Sequence, residues 1–134
     1  MLYIGLDPGT HTGFAEWDSV SREFVSVETL PIHQALFRVR DLHLTEDIMV
    51  IFEDARQRKW YGNAGREQLQ GAGSIKRDCT IWEDFLTQYG IPFRALPPSK
   101  GQTKWTAEHF KRVTGWKGRT SEHARDAAIL VLGR

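Results

Sequence analysis

Two short apolar runs, Leu2 to Leu6 and Ile48 to Phe52, are each followed at once by an acid, Asp7 and Glu53. Runs of this kind suit strands buried on both faces, which are found where helices cover a parallel sheet. The segments between and around them fit that arrangement. Pro8-Gly9-Thr10 turns the chain, Gly13 to Trp17 reads as a second strand, and Asp18 to Ser21 as a hairpin connection. Glu23 to Thr29 places Phe24 and Val25 among polar residues, as in a half-exposed strand. Pro31 is suited to a helix start, and Ile32, Leu36, Val39 and Leu42 follow at helical spacing. Residues 54–65 are polar, basic and aromatic, the composition of a loop.

A second helix is expected from Glu67 to Tyr89, with Ile75, Cys79, Trp82, Phe85 and Leu86 inward and Gly90 at its end. Gly71 and Gly73 each weaken it by about 1 kcal/mol relative to Ala, or else admit another backbone. Ile91 to Leu96 reads as a strand stopped by Pro97-Pro98. Residues 100–113 read as a basic helix and residues 115–120 as a loop. Ser121 caps a last helix ending at Leu132. Three hairpin-linked strands followed by strand and helix alternation predict an α/β fold, one domain spanning residues 1–134.

Charge divides the chain. Residues 1–54 carry ten acids against three bases, and residues 55–134 carry fifteen bases against seven acids. Carboxylates gather cations and Lys and Arg gather phosphates, so the division is compatible with a metal-using enzyme of nucleic acids. The single cysteine, Cys79, excludes an internal disulfide and a multi-cysteine zinc site. No stretch approaches the roughly 18–20 apolar residues of a membrane helix. The first residues are strand-like, without a signal-peptide pattern, and a cytoplasmic location is expected.

The chemistry-bearing residues follow from the same layout. α/β sheets hold ligands at the carboxyl ends of their strands, where Asp7 and Glu53 stand. On parallel neighbours these carboxylates would lie roughly 4.8 Å apart and repel unless a cation lay between them. Magnesium takes oxygen ligands and often only one or two protein carboxylates. His123 and Asp126 are three apart in the last helix and share a face. Ala124, Ala127 and Ala128 keep that helix slim enough to pack close to a sheet, while Glu122 and Arg125 should face elsewhere.

Together these residues resemble a known family. Ile4-Gly5-Leu6-Asp7-Pro8-Gly9-Thr10, followed by Thr12-Gly13-Phe14-Ala15, looks like the first-strand motif of the RuvC-type Holliday junction resolvases. Val50-Ile51-Phe52-Glu53 is similar to their second acidic strand, and Leu69 to Gly73 imperfectly to the next helix. Leu96-Pro97-Pro98-Ser99-Lys100 resembles a Pro-x-x-x-Lys segment, and His123 to Ala128 the closing His-x-x-Asp-Ala motif. The middle segment departs from the family pattern, and the chain is shorter than typical cellular members.

The resemblance implies an RNase H-like fold with a five-stranded mixed sheet flanked by helices. It implies a crossover junction endonuclease of DNA recombination and repair that hydrolyses phosphodiesters, leaving 5′-phosphate and 3′-hydroxyl ends. Two Mg²⁺ ions, replaceable by Mn²⁺, would be held by Asp7, Glu53, His123 and Asp126. A homodimer would cut opposing strands of a four-way DNA junction in a bacterial or phage-infected cell. DNA contacts are expected from Arg56, Arg58, Lys59, Trp60 and Tyr61 after Glu53, with the two aromatics as wedge candidates for the branch point. Lys100, Lys104, Lys111, Arg112, Lys117 and Arg119 form a second basic region for backbone phosphates.

Rival readings share the fold. Another branched DNA or an RNA–DNA hybrid would use the same metal chemistry. A non-cleaving junction binder should have lost an acid, and all positions here retain plausible ligands. The Asp-Pro-Gly-Thr turn also resembles the phosphate loop of actin- and sugar-kinase-like ATPases, which need a second such domain.

Overall fold

The computed structural model describes residues 1–58, 66–99 and 103–134, with the side chains of all these except 66–69. Five strands form one sheet in the order β3-β2-β1-β4-β5. The strands β1 (Leu2–Asp7), β2 (His11–Asp18) and β3 (Glu23–Pro31) make an antiparallel meander. β4 (Ile48–Glu53) joins β1 in parallel, and β5 (Phe93–Leu96) joins β4 in parallel. The crossover from β3 to β4 contains α1 (Ile32–Thr45), and that from β4 to β5 contains α2 (Arg66–Gln88). The helices α3 (Ala107–Thr114) and α4 (Glu122–Val131) close the chain. The strand pattern predicts the α/β class, and the five-stranded mixed sheet is the one the resemblance implies.

Alternation along the strands decides what each sheet face meets. Ile4, Leu6, Phe14, Val50 and Phe52 point toward α1 and α2, where they bury Ala35, Val39, Cys79, Trp82 and Leu86. Ala15, Trp17, Val27 and Ile51 point the other way, onto Phe110 of α3 and Ala124, Ala127, Ala128 and Val131 of α4. Gly5 and Gly13 lie on this second face. A Cβ at Gly5 would strike the carbonyl of Ala127, and one at Gly13 the carbonyl of His123. The two glycines therefore let α4 rest directly on the backbone of β1 and β2.

The structure departs from the sequence reading in several places. The basic helix expected over 100–113 is shorter. Residues 103–106 are not helical, and α3 starts where Thr106 Oγ1 accepts the amide hydrogen of His109 at 3.1 Å. The segment after Glu53 contains a 3-10 turn, Ala55–Gln57, capped by Asp54. Ile75, expected inward, is exposed, because α2 meets the sheet only from Asp78 and Cys79 onward. A methyl group on Gly71 or Gly73 would meet nothing within 4 Å, so no other described backbone approaches them.

Candidate metal and nuclease site

The register that pairs Leu6 with Phe52 leaves Asp7 and Glu53 side by side at the carboxyl ends of β1 and β4. Both follow the parity of Gly5 and Ile51, so both face α4. The helix arrives there for local reasons. Ser121 Oγ accepts the amide hydrogen of Ala124 at 3.1 Å and starts α4 at the level of Asp7. Its small residues then seat on Gly5 and Gly13, bringing His123 and Asp126 over the strand ends.

His123 Nδ1 lies 2.8 Å from Asp7 Oδ2. An ionised carboxylate only accepts, so the N–H of this contact is on His123 Nδ1. Ligand atoms of Asp7, His123 and Asp126 all lie within 4.8 Å of one another, close enough to share one cation. Glu53 borders the same space: a cleft beside the cluster is lined by Glu53, Leu96, Ser99, Thr103, Lys104, Asp126 and Arg134. Burial pushes the Asp7 carboxyl above the usual aspartate range, with Asp126 adding to the rise and His123 and Lys104 opposing it. Burial also raises Glu53, reinforced by Asp7 and Asp126. Clustered carboxylates whose charged forms disfavour one another are what a hard divalent cation relieves. The donor set thus fits Mg²⁺ or Mn²⁺.

Lys104 enters this cluster. Its ammonium donates to Asp126 Oδ2 at 2.5 Å and lies 3.7 Å from Glu122. Burial pulls its pKa down, but the bond and charge of Asp126, with Asp7 and Glu122, outweigh that and hold it above the usual lysine value. Arg125 secures this placement from the other side of α4. Its Nε donates to the Trp105 carbonyl at 2.8 Å and its guanidinium to the Thr120 carbonyl at 2.6 Å. The sequence reading turned Arg125 away from the acids but gave it no task. A lone arginine in a helix carries no sign of the carbonyl it will find twenty residues earlier.

The basic residues behave differently from one another. Arg56 does not offer a free guanidinium: Asp54 and Glu83 engage it. Asp54, the neighbour of Glu53, is buried. Arg58, Lys117 and Arg119 are exposed. Lys117 borders a second cleft with Glu23, Phe24 and Trp116. Glu23 pairs with Asp18, which pairs with Leu2, so that cleft lies at the opposite end of the sheet from Asp7. Lys59, Trp60, Tyr61 and Lys100 lie outside the described residues.

A mixed five-stranded sheet of this order, with paired acids at its central strand ends and a helix over them, defines an RNase H-like fold. Among solved structures the chain is similar to RuvC of T. thermophilus, captured in complex with Holliday junction substrate. The TM-score is 0.62 at 18% identity, over 99% of this chain and 92% of that one. Neither the protein-family models nor the curated proteins give a match.

Proposed function

We propose that the chain is a RuvC-type, metal-dependent endonuclease that resolves four-way DNA junctions. One observation carries the reading: Asp7, His123 and Asp126 bring ligand atoms within 4.8 Å of one another, and Glu53, at the neighbouring strand end, lines the adjoining cleft with Asp126. The likeness to a protein solved with junction DNA supports the substrate.

Asp7, Glu53 and Asp126 hold divalent cations, Mg²⁺ or Mn²⁺, and His123 stands beside them. When bound, two such ions supply a nucleophilic water near neutral pH and cancel charge on the leaving 3′ oxygen. Asp7 fixes the imidazole of His123 through Nδ1, which leaves Nε2 free to take a proton from the attacking water. The side chain of His123 is 61% exposed, so Nε2 is accessible to substrate. Lys104 keeps Asp126 oriented and brings a positive charge to the edge where a phosphate must lie. Arg58 and Arg119 are assigned to backbone phosphates together with Lys59 and Lys100, Lys117 at the far end of the sheet to duplex away from the cut, and Trp60 and Tyr61 to bases at the branch point. Action on both strands of a junction requires two sites, and a homodimer provides them. Phe37 and Leu44 on α1 and Ile81 on α2 are exposed apolar residues available to such an interface. The setting is the cytoplasm of a bacterium or a phage-infected cell.

The test is a cleavage assay on a labelled four-way junction, a matched duplex and an RNA–DNA hybrid, with Mg²⁺, Mn²⁺ or EDTA. Paired metal-dependent cuts near the crossover, absent in Asp7→Asn, are expected. Cutting of duplex or hybrid with the junction spared replaces the substrate and keeps the metal site. Tight junction binding without cuts in either metal makes the protein a non-cleaving junction binder.

A further inference from the structure

Asp54 follows Glu53 directly, so its side chain points to the opposite face of β4, toward α2. There its Oδ1 accepts from Arg56 Nε at 2.8 Å and from the Arg56 amide at 3.0 Å, and its Oδ2 accepts from Arg56 Nη2 at 2.9 Å. The same guanidinium donates to Glu83 Oε2 on α2 at 2.5 Å and reaches Thr80 Oγ1 at 3.4 Å. The Asp54 amide donates to the Leu96 carbonyl of β5 at 2.7 Å, and Gln57 Nε2 donates to the Ala95 carbonyl at 3.1 Å. The carbonyl of Glu53 itself accepts from the Cys79 thiol at 3.7 Å. The backbone at the end of β4 is thus tied to β5, to α2 and to the 3-10 turn.

Two features separate this arrangement from a phosphate-binding arginine. The guanidinium already serves two carboxylates, so the group as a whole carries a net negative charge and repels an anion. Asp54 is also 4% exposed, and nothing as large as a phosphate can replace it.

We propose that Arg56 is a positioning residue for the metal site: by clamping Asp54 to Glu83 it fixes the end of β4 and aims Glu53 at Asp7 and Asp126. The inference rests on the metal-site reading above. The experiment measures Mn²⁺ affinity without DNA, by calorimetry or by the loss of free-ion EPR signal, and junction affinity in EDTA by gel shift. Wild type, Arg56→Met, Arg56→Lys, Glu83→Gln and the Arg56→Met/Glu83→Gln double variant are compared. Partners that orient ligands typically contribute roughly 10–100-fold in metal affinity. Arg56→Met is expected to lose Mn²⁺ affinity in that range while junction affinity in EDTA stays within about twofold, as for a group that meets no phosphate.

Glu83→Gln should lose less, and the double variant should fall no further than Arg56→Met, because the two residues share one clamp. Arg56→Lys should restore little, since an ammonium cannot span both carboxylates in a fork. Glu83→Gln removes no charge from the buried side and keeps the test readable if Arg56→Met folds poorly. Unchanged Mn²⁺ affinity in both Arg56→Met and Glu83→Gln overturns the clamp. So does a loss of junction affinity at unchanged Mn²⁺ affinity, which would make Arg56 a phosphate contact. Absence of Mn²⁺ binding in the wild type is a separate result that removes the metal site and the clamp together.

Discussion

A few side chains decide whether this site can work, and their contributions separate by experiment. Asp7 is half-buried, touches His123 and lies near Asp126 and Glu53. Asp7→Asn keeps an acceptor for His123 but removes one charge from the cluster. Metal-dependent cleavage should fall by more than the roughly 10–100-fold expected for orienting partners, while the melting temperature in EDTA rises. Lys104→Met should do the reverse to stability. It removes the cation bonded to Asp126, so the protein in EDTA melts lower and gains more from added Mn²⁺ than wild type does. Glu16 supplies a control far from this cluster. Burial raises its carboxyl above the ordinary 4.5, against the opposing pull of Arg38. The folded state then binds a proton that the unfolded state has released, so stability falls as pH rises through the window above 4.5. Glu16→Gln does not titrate. Its melting temperature relative to wild type should climb through that window and level off above it, and a flat difference from about pH 4 to pH 7 would contradict the raised value.

At the scale of elements, the seating of α4 is the step on which the site depends. Gly13 pairs with Asp7, and a methyl there would run into the His123 carbonyl. Backbone cannot rotate aside as a side chain can, so Gly13→Ala should cost at the upper end of the roughly 1–3 kcal/mol of overpacking. It should also lift His123 and Asp126 from the strand ends, so melting temperature and Mn²⁺ affinity fall together. Retention of Mn²⁺ affinity at lowered stability would mean that α4 is not what sets the site. Much of this was legible in the residues. Apolar runs ending in Asp7 and Glu53 disclosed parallel neighbours, and the alanines at 124, 127 and 128 disclosed a close-packed helix. Less legible was anything decided by a long side chain meeting a distant backbone. The basic stretch over 100–113 carried helical composition, but the Thr106 cap and the Arg125 bond to Trp105 keep its first described part out of the helix. Arg56 sat in a run of bases and looked like its neighbours, because nothing local announces that Glu83 will lie across from it. Ile75 fitted the helical spacing of its inward partners, yet the sheet does not extend beneath it.

For the whole molecule, the acids and the bases make opposite demands on folding. The metal-free protein gathers Asp7, Glu53 and Asp126 at one end of the sheet, where Lys104 bonds to Asp126 and His123 to Asp7. Such a cluster opposes the folded state until a cation enters it, and the unfolded chain has no comparable cluster. Ligand binding to the folded state alone adds RT ln(1 + [L]/Kd), about 2.7 kcal/mol at one hundred times Kd. For a chain of 134 residues, each kcal/mol corresponds to roughly 3–5 °C. Mn²⁺ at that saturation should therefore raise the melting temperature by roughly 10 °C, with Mg²⁺ acting in the same direction at higher concentration. The rise should vanish in Asp7→Asn, whose metal-free form already melts higher, so the two melting curves cross as Mn²⁺ is added. The crossing tests the site without any DNA. A general ionic effect would move both proteins alike, whereas an ion held by Asp7 moves only the wild type. Parallel curves over the whole titration would show that the cluster takes no cation, and with it the hydrolytic reading would fail whatever junctions the protein binds.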